Sequence, residues 1–302
     1  MNLEIEPIGG EISNKYDKHI PEPLLKIKQG NVMILIAKRG SGKTTVLANL
    51  IQKPKFGYKK AFVDVIDPID VLVRAQEKRE RKRRQKIESK KTMSDKMTTK
   101  TKKKRDPLDE PLPRYNNIYL FSPTASKRDE IWGELITSGT LKEENIVNEL
   151  DLAYIKEILA TQKMVIEKVG QDKCNPVLLI LDDLVSQMSR LGASKSNALV
   201  DAVLNGRRYN VSIWIVSQVV TGIPKSIRLN ADGVIIFRIQ PNEFESFNEM
   251  VNDRYEKDTL IAMYREATRE KHSFLWVNMR KPSGQRFYKR FVELIEPEDD
   301  EK

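Results

Sequence analysis

The chain has 302 residues, 39% hydrophobic and 32% charged, enough for one large α/β domain with appendages or two modest domains. One cysteine, Cys174, closes no intramolecular disulfide. Together with the two histidines, His19 and His272, it leaves no ligand set for structural zinc, so a reducing, intracellular setting is expected. The net charge of +10 is concentrated: residues 74–105 hold 16 Lys/Arg against 4 Asp/Glu, a net of +12, and the other 270 residues net to −2.

The first 29 residues, with Pro7, Pro21, Pro23 and the Gly9-Gly10 pair, read as an extended lead-in. Glu4 and Glu6 stand where a secretory signal would carry lysines. Apolar runs such as Val32 to Ala37 fall far short of the ~18 residues that cross a bilayer, so no membrane-spanning segment is expected. Val32 to Ala37 is uninterrupted and apolar, as a parallel strand covered on both faces would be. It runs into Lys38-Arg39-Gly40-Ser41-Gly42-Lys43-Thr44-Thr45, after which Val46, Leu47, Leu50 and Ile51 recur at helical spacing until Pro54.

Ala61 to Ile66 could form a short strand. From Arg74 to Arg105 the composition cannot bury enough surface to offset its ordering entropy. That stretch reads as a solvated charged helix or a disordered insertion, serving as a bland surface, a tether to phosphates or a nuclear-import signal. The strand–helix alternation resumes with a strand at Asn117 to Phe121 and a helix near Arg128 to Ile136. A long amphipathic helix is expected from about Ile146 to Val169, then a strand at Val177 to Leu181. A helix from about Ser196 to Arg208 feeds a strand at Val211 to Val216, followed by a strand at Gly233 to Ile239. Helices are expected around Asn242 to Val251 and Asp258 to Arg269. The runs His272 to Met279 and Arg286 to Leu294, joined by Pro282-Ser283-Gly284, read as a hairpin. Repeated strand–helix units predict an α/β fold with a mostly parallel central sheet between helix layers. The domain spans residues 30–295, and residues 296–302 form an acidic tail.

A strand, a glycine-rich turn, Gly-Lys-Thr and a helix together make a phosphate-binding loop. Gly40 and Gly42 let the backbone approach phosphates, and the helix that begins near Lys43 adds its positive end. Lys43 would hold the β and γ phosphates of ATP, and Thr44 would place its hydroxyl on Mg²⁺. The full pattern asks for glycine where Ala37 stands. Asp182-Asp183 ends the next apolar strand, where Asp182 can hold the Mg²⁺ shell and Asp183 can polarise water, or where both simply cap a helix. Gln218 ends the following strand. It is either a water or phosphate sensor, if that strand lies between the other two, or an exposed loop amide. Arg207-Arg208 ends a helix, as an arginine finger reaching a neighbouring subunit or as a complement to the helix dipole. Arg207 is the first choice, with Arg208 and Arg228 behind it. Trp132, Trp214 and Trp276 lie in apolar patterns and read as core.

Four segments in order carry a resemblance: Ala-Lys-Arg-Gly-Ser-Gly-Lys-Thr at 37–44, Ile-Tyr-Leu-Phe-Ser-Pro-Thr at 118–124, Leu-Ile-Leu-Asp-Asp at 179–183, and Gly-Arg-Arg-Tyr-Asn-Val-Ser-Ile-Trp-Ile-Val-Ser-Gln at 206–218. Over roughly residues 30–240 the chain resembles the genome-packaging ATPases of nucleocytoplasmic large DNA viruses, of the poxvirus A32 type within the FtsK/HerA superfamily. The resemblance implies a P-loop NTPase fold of the RecA-like (ASCE) kind, with the Gln218 strand between those of Lys43 and Asp182. It implies a homo-oligomeric ring that hydrolyses ATP to drive double-stranded DNA into a preformed capsid. A capsid or portal-vertex component would be its partner, in the host cytoplasm, virus factory or virion, or in the nucleus if the basic segment is an import signal. Lys43 and Thr44 would bind nucleotide and Mg²⁺, with Asp182 on the metal. Asp183 would activate water, Gln218 sense the γ phosphate, and Arg207 act in the next subunit. Arg208 stands where many members have histidine, and Asp183 where cellular relatives have glutamate. Two other readings fit the same residues: a cellular-type DNA translocase or helicase, and a nucleotide-dependent DNA-binding scaffold with vestigial hydrolysis.

Overall fold

The computed structural model describes residues 30–52, 115, 117–191, 193–251, 255–291 and 293–295. The lead-in, the short strand expected at Ala61 to Ile66, the basic segment 74–105 and the acidic tail lie outside the described residues.

Among the described residues, nine strands form one sheet: β1 (Val32–Ile36), β2 (Asn117–Phe121), β3 (Ile146–Val147), β4 (Val177–Asp182), β5 (Val211–Ser217), β6 (Gly233–Ile236), β7 (Leu275–Asn278), β8 (Phe287–Lys289) and β9 (Glu293–Leu294). Their order across the sheet is β3-β2-β4-β5-β1-β6-β7-β8-β9. The strands from β3 to β6 pair in parallel, and β7, β8 and β9 extend the sheet antiparallel from β6. The sheet is therefore mostly parallel, as the strand–helix alternation predicts. β5 lies between β1 and β4, which is the strand order implied by the resemblance.

The helices are α1 (Lys43–Gln52), α2 (Glu130–Thr137), α3 (Leu152–Val169), α4 (Ala193–Gly206), α5 (Phe244–Val251) and α6 (Lys257–Ala267), with one-turn helices at Val185–Met188 and Lys225–Arg228. Because side chains alternate along a strand, the uninterrupted apolar strands feed two cores. Met33, Leu35, Leu178, Ile180, Trp214 and Val216 pack on one face with Leu47 and Leu50 of α1 and Trp132 and Leu135 of α2. Ile34, Ile36, Leu179, Leu181, Ile213 and Ile215 pack on the other with residues of α3 to α6. All three tryptophans are buried, as expected.

Three expectations need correcting. The helix expected from Ile146 starts only at Leu152, because Ile146 and Val147 pair with Leu120 and Phe121 as edge strand β3. Asn145 Nδ2 donates to the Ile118 carbonyl (3.1 Å) and fixes that edge, while the Asp151 carboxylate accepts the Tyr154 N–H (2.9 Å) and caps α3. The second run of the C-terminal hairpin is not one strand. Arg290 takes a positive φ of 57°, and the chain folds back so that β9 pairs with β8. The strand expected from Gly233 to Ile239 ends at Ile236; the Phe237 N–H still donates to the Ile36 carbonyl (2.9 Å), and the Ile239 N–H then turns to the Tyr264 hydroxyl (2.8 Å).

Candidate nucleotide site

The C-terminal ends of β1, β4 and β5 converge at one edge of the sheet. Ala37 N–H donates to the Ser217 carbonyl (2.9 Å), and residues 38–42 then turn sharply into α1. The turn needs glycine twice, at Gly40 (φ +77°) and Gly42 (φ +95°), conformations that cost an L side chain about 1–2 kcal/mol. Lys38, Arg39 and Gly40 are exposed, and Ser41 to Thr45 are half-buried. No acidic residue sits in the first turn of α1, which leaves its positive end uncompensated and suited to an anion.

Asp182 ends β4 only 3% exposed, and Asp183 follows with a positive φ of 54°. The Lys43 ammonium lies between them, 3.3 Å from Asp182 Oδ1 and 2.6 Å from Asp183 Oδ2. Burial pushes the Asp182 carboxyl above its ordinary pKa, helped by the charge of Asp183, while Lys43 and a hydrogen bond from Ser122 pull it down. The Gln218 side-chain amide approaches Asp183 Oδ1 at 3.4 Å. Lys43, Asp182, Asp183 and Gln218, spread over 176 positions of sequence, thus meet in one cluster. The buried carboxylate and the Thr44 hydroxyl are hard oxygen donors, the chemistry that Mg²⁺ selects.

Sequence reasoning missed three residues here. Ser122, fully buried after β2, donates to Asp182 Oδ2 (3.3 Å). Glu243 accepts the backbone N–H groups of Val220 and Thr221 and the Thr221 hydroxyl, clamping the loop that carries Gln218. His272, at the start of the segment leading to β7, bonds through Nδ1 to the Ser41 carbonyl (3.2 Å). Only Ser122 carried a signal, as a polar residue closing an apolar strand just as Asp182 and Gln218 do.

Arg207 is not brought to this cluster. It precedes β5 and so lies at the opposite edge of the parallel sheet, a strand length of about 20 Å away. There it ion-pairs with Asp232, whose Oδ1 also accepts from Arg280 Nε (2.9 Å) and whose Oδ2 accepts the Val32 N–H (2.7 Å). Arg207 keeps 45% of its side chain exposed, and Arg208 is also exposed. Arg228 is buried and donates to the carbonyls of Ile223 and Ser246, both at 3.1 Å, which makes it a structural tie to α5.

A family model described as Poxvirus A32 protein matches residues 100–279. An uncharacterized protein, L437, of Acanthamoeba polyphaga mimivirus is 27% identical over 146 residues, 45% of this chain and 49% of that relative. The chain thus spans about half the length of the curated relative it matches. Among solved structures, similarity is found to the DNA-packaging ATPase B204 of Sulfolobus turreted icosahedral virus. Its TM-score is 0.45 and its identity 12%, covering 83% of this chain and 93% of that one. The pCW3 conjugation coupling protein TcpA with ATPγS is similar at TM-score 0.45 and 11% identity, over 83% of this chain and 58% of that one.

Proposed function

The chain belongs to the poxvirus A32 protein family, and from that premise we propose that it is an ATP-hydrolysing motor that moves double-stranded viral DNA into a preformed capsid. The observation that carries the reading is the Lys43 ammonium held 2.6 Å from Asp183 and 3.3 Å from Asp182 at the head of a glycine-rich strand-to-helix turn. In this reading the backbone of residues 38–45 and the positive end of α1 cradle the phosphates. A phosphate oxygen that draws Lys43 toward itself frees Asp183 Oδ2 to accept a proton from water, which Gln218 orients from the neighbouring strand end. Thr44 and Asp182 would hold Mg²⁺, which neutralises charge on the phosphate oxygens when bound.

The position of Arg207 suits action between subunits. It lies a strand length from its own loop, and although it pairs with Asp232 it keeps 45% of its side chain exposed at the far edge, where the next copy in a ring could reach it. The segment 74–105 would add sequence-independent DNA affinity through phosphate contacts, with the salt dependence that counterion release imposes. A capsid or portal component would be the partner, in the host cytoplasm or virus factory.

The test is ATP hydrolysis by the full chain with and without long double-stranded DNA. DNA should stimulate turnover, and Lys43→Ala should abolish it. Asp183→Asn should still bind ATP but lose turnover by about 100-fold or more. Mixing Arg207→Ala with Lys43→Ala should restore part of the activity, because one subunit supplies the intact loop and the other the finger. Nucleotide binding with no DNA-stimulated turnover would count against the motor and for a nucleotide-dependent scaffold.

A further inference from the structure

His272 is one of two histidines in the chain, and sequence pattern assigns it nothing. The structure sets it against the phosphate loop. β7 runs antiparallel to β6, with Leu275 opposite Ile236, so the residues just before β7 arrive at the edge where β1 enters the loop. There the His272 ring lies over Gly42, close enough that a Cβ on Gly42 would stand 3.6 Å from Nδ1. The Nδ1 atom is 3.2 Å from the Ser41 carbonyl oxygen. A carbonyl only accepts, so Nδ1 carries the proton and donates.

The segment that presents His272 is anchored on both sides. Glu270 is ion-paired to Lys289 at the end of β8 (3.0 Å) and to Arg290 just after it (2.9 Å). Ser273 N–H returns to the Glu270 carbonyl (3.2 Å), and Arg290 N–H donates to the Phe274 carbonyl (2.8 Å). Phe274 is wedged between Phe237 and Phe291, with ring centroids at 5.1 and 4.9 Å. His272 itself has a φ of 59°, a left-handed conformation that histidine and asparagine adopt more readily than most residues. Residues held in sparsely populated backbone conformations by over-determined surroundings cluster at functional sites.

The consequence for the loop follows from the planarity of the peptide bond. In a trans peptide the C=O and the next N–H point in opposite directions. Holding the Ser41 carbonyl toward His272 therefore turns the Gly42 N–H to the other side. The Val46 N–H meanwhile holds the Gly42 carbonyl (3.1 Å) into the first turn of α1. Gly42, with no Cβ and a φ of +95°, could otherwise let this peptide flip at little cost.

We propose that His272 is a positioning residue of the phosphate loop, whose Nδ1–H pins the Ser41 carbonyl outward and so presents the Gly42 N–H to a phosphate. The antiparallel strands β7 and β8 are then the brace that carries this donor to the loop. The inference rests on the reading that the loop binds nucleotide.

The test is titration calorimetry of MgADP into the full chain, comparing wild type with His272→Ala and His272→Asn, with melting temperature recorded for each. The Asn amide N–H stands close to where the imidazole Nδ1–H stood, and asparagine tolerates the same backbone. His272→Ala should raise the Kd about fivefold to tenfold, the worth of one hydrogen bond, and His272→Asn should stay within about twofold of wild type. Should the alanine variant fold poorly in the left-handed conformation, His272→Gly removes both donor and strain and should show the same weakened binding. An unchanged Kd in the alanine or glycine variant, or an asparagine variant as weak as alanine, would overturn the proposal. In either case, binding that Lys43→Ala still abolishes would leave the nucleotide reading standing. A wild type that takes up no MgADP would sink both.

Discussion

The clearest energetic test of the site is the removal of Lys43 without any nucleotide present. Its side chain is 13% exposed, against 4% for that of Asp182 and 22% for that of Asp183. At an effective dielectric constant near 20, separations of 2.6 and 3.3 Å give gross attractions of about 6 and 5 kcal/mol, most of which desolvation offsets. What counts is the penalty of stranding Asp182. Truncating one partner of a buried pair costs about 3–5 kcal/mol, and protonation of Asp182 caps this because burial and Asp183 already hold its pKa above normal.

Lys43→Met should therefore destabilise the protein by about 3 kcal/mol at pH 8. Without Lys43 the folded-state pKa of Asp182 rises further. The folded protein then holds its proton in a pH range where the unfolded chain has lost it, so stability falls as pH rises, and the cost of the substitution should be smaller at pH 5. In an Asp183→Asn background the stranded carboxylate faces no like charge, and the cost of Lys43→Met should drop by about 1–2 kcal/mol. Urea denaturation of the four proteins at both pH values measures the cycle. Additivity within about 0.5 kcal/mol, or a Lys43→Met protein as stable as wild type, would refute the argument that Lys43 neutralises a buried carboxylate pair.

Two further outcomes probe the scaffold. Gly233→Ala would put a methyl 2.1 Å from Trp276 Cη2, where the indole is buried against Phe291, so the whole ring must move. A loss of about 3 kcal/mol in urea denaturation is expected, and an unchanged midpoint would show that β6 and β7 do not approach as closely as described. Tyr115→Phe removes hydrogen bonds to Ser212 (2.9 Å) and Asn31 (3.1 Å) and should cost about 1–2 kcal/mol near neutral pH. Burial pushes the Tyr115 phenol up to about 12. Because an unfolded tyrosine ionises near about 10, wild-type stability should fall between these values, a loss that Tyr115→Phe is spared. Equal midpoint changes between pH 9 and 11 in the two proteins would contradict this.

The phosphate loop and the acidic strand end are legible in sequence because their chemistry is local. An apolar run long enough for a buried strand ends at Lys38, Asp182 or Gln218, and the polar residue at its end is the one the C-terminal edge of the sheet presents. The same logic placed the two helix layers, since uninterrupted apolar strands must be covered on both faces. It failed at Ile146, where apolar spacing suits either a helix or a two-residue edge strand, and the choice was made by pairing with Leu120 and Phe121 and by the Asn145 bond to the Ile118 carbonyl.

The composition, the turn glycines and the order of the strand ends were thus determined by the sequence alone. Which strands became neighbours, which charges met, and which side chains reached the loop were decided by tertiary structure. Gln218 comes beside Asp183 only because β5 inserts between β1 and β4. Arg207 faces away from its own loop because it precedes a parallel strand rather than following one. Asp232 gathers Arg207 and Arg280, and His272 meets Ser41 across 231 positions. Hydrophobic periodicity records which face of an element is buried, but a hydrogen bond or ion pair spans only a few ångströms, and those close approaches exist only once the sheet has closed.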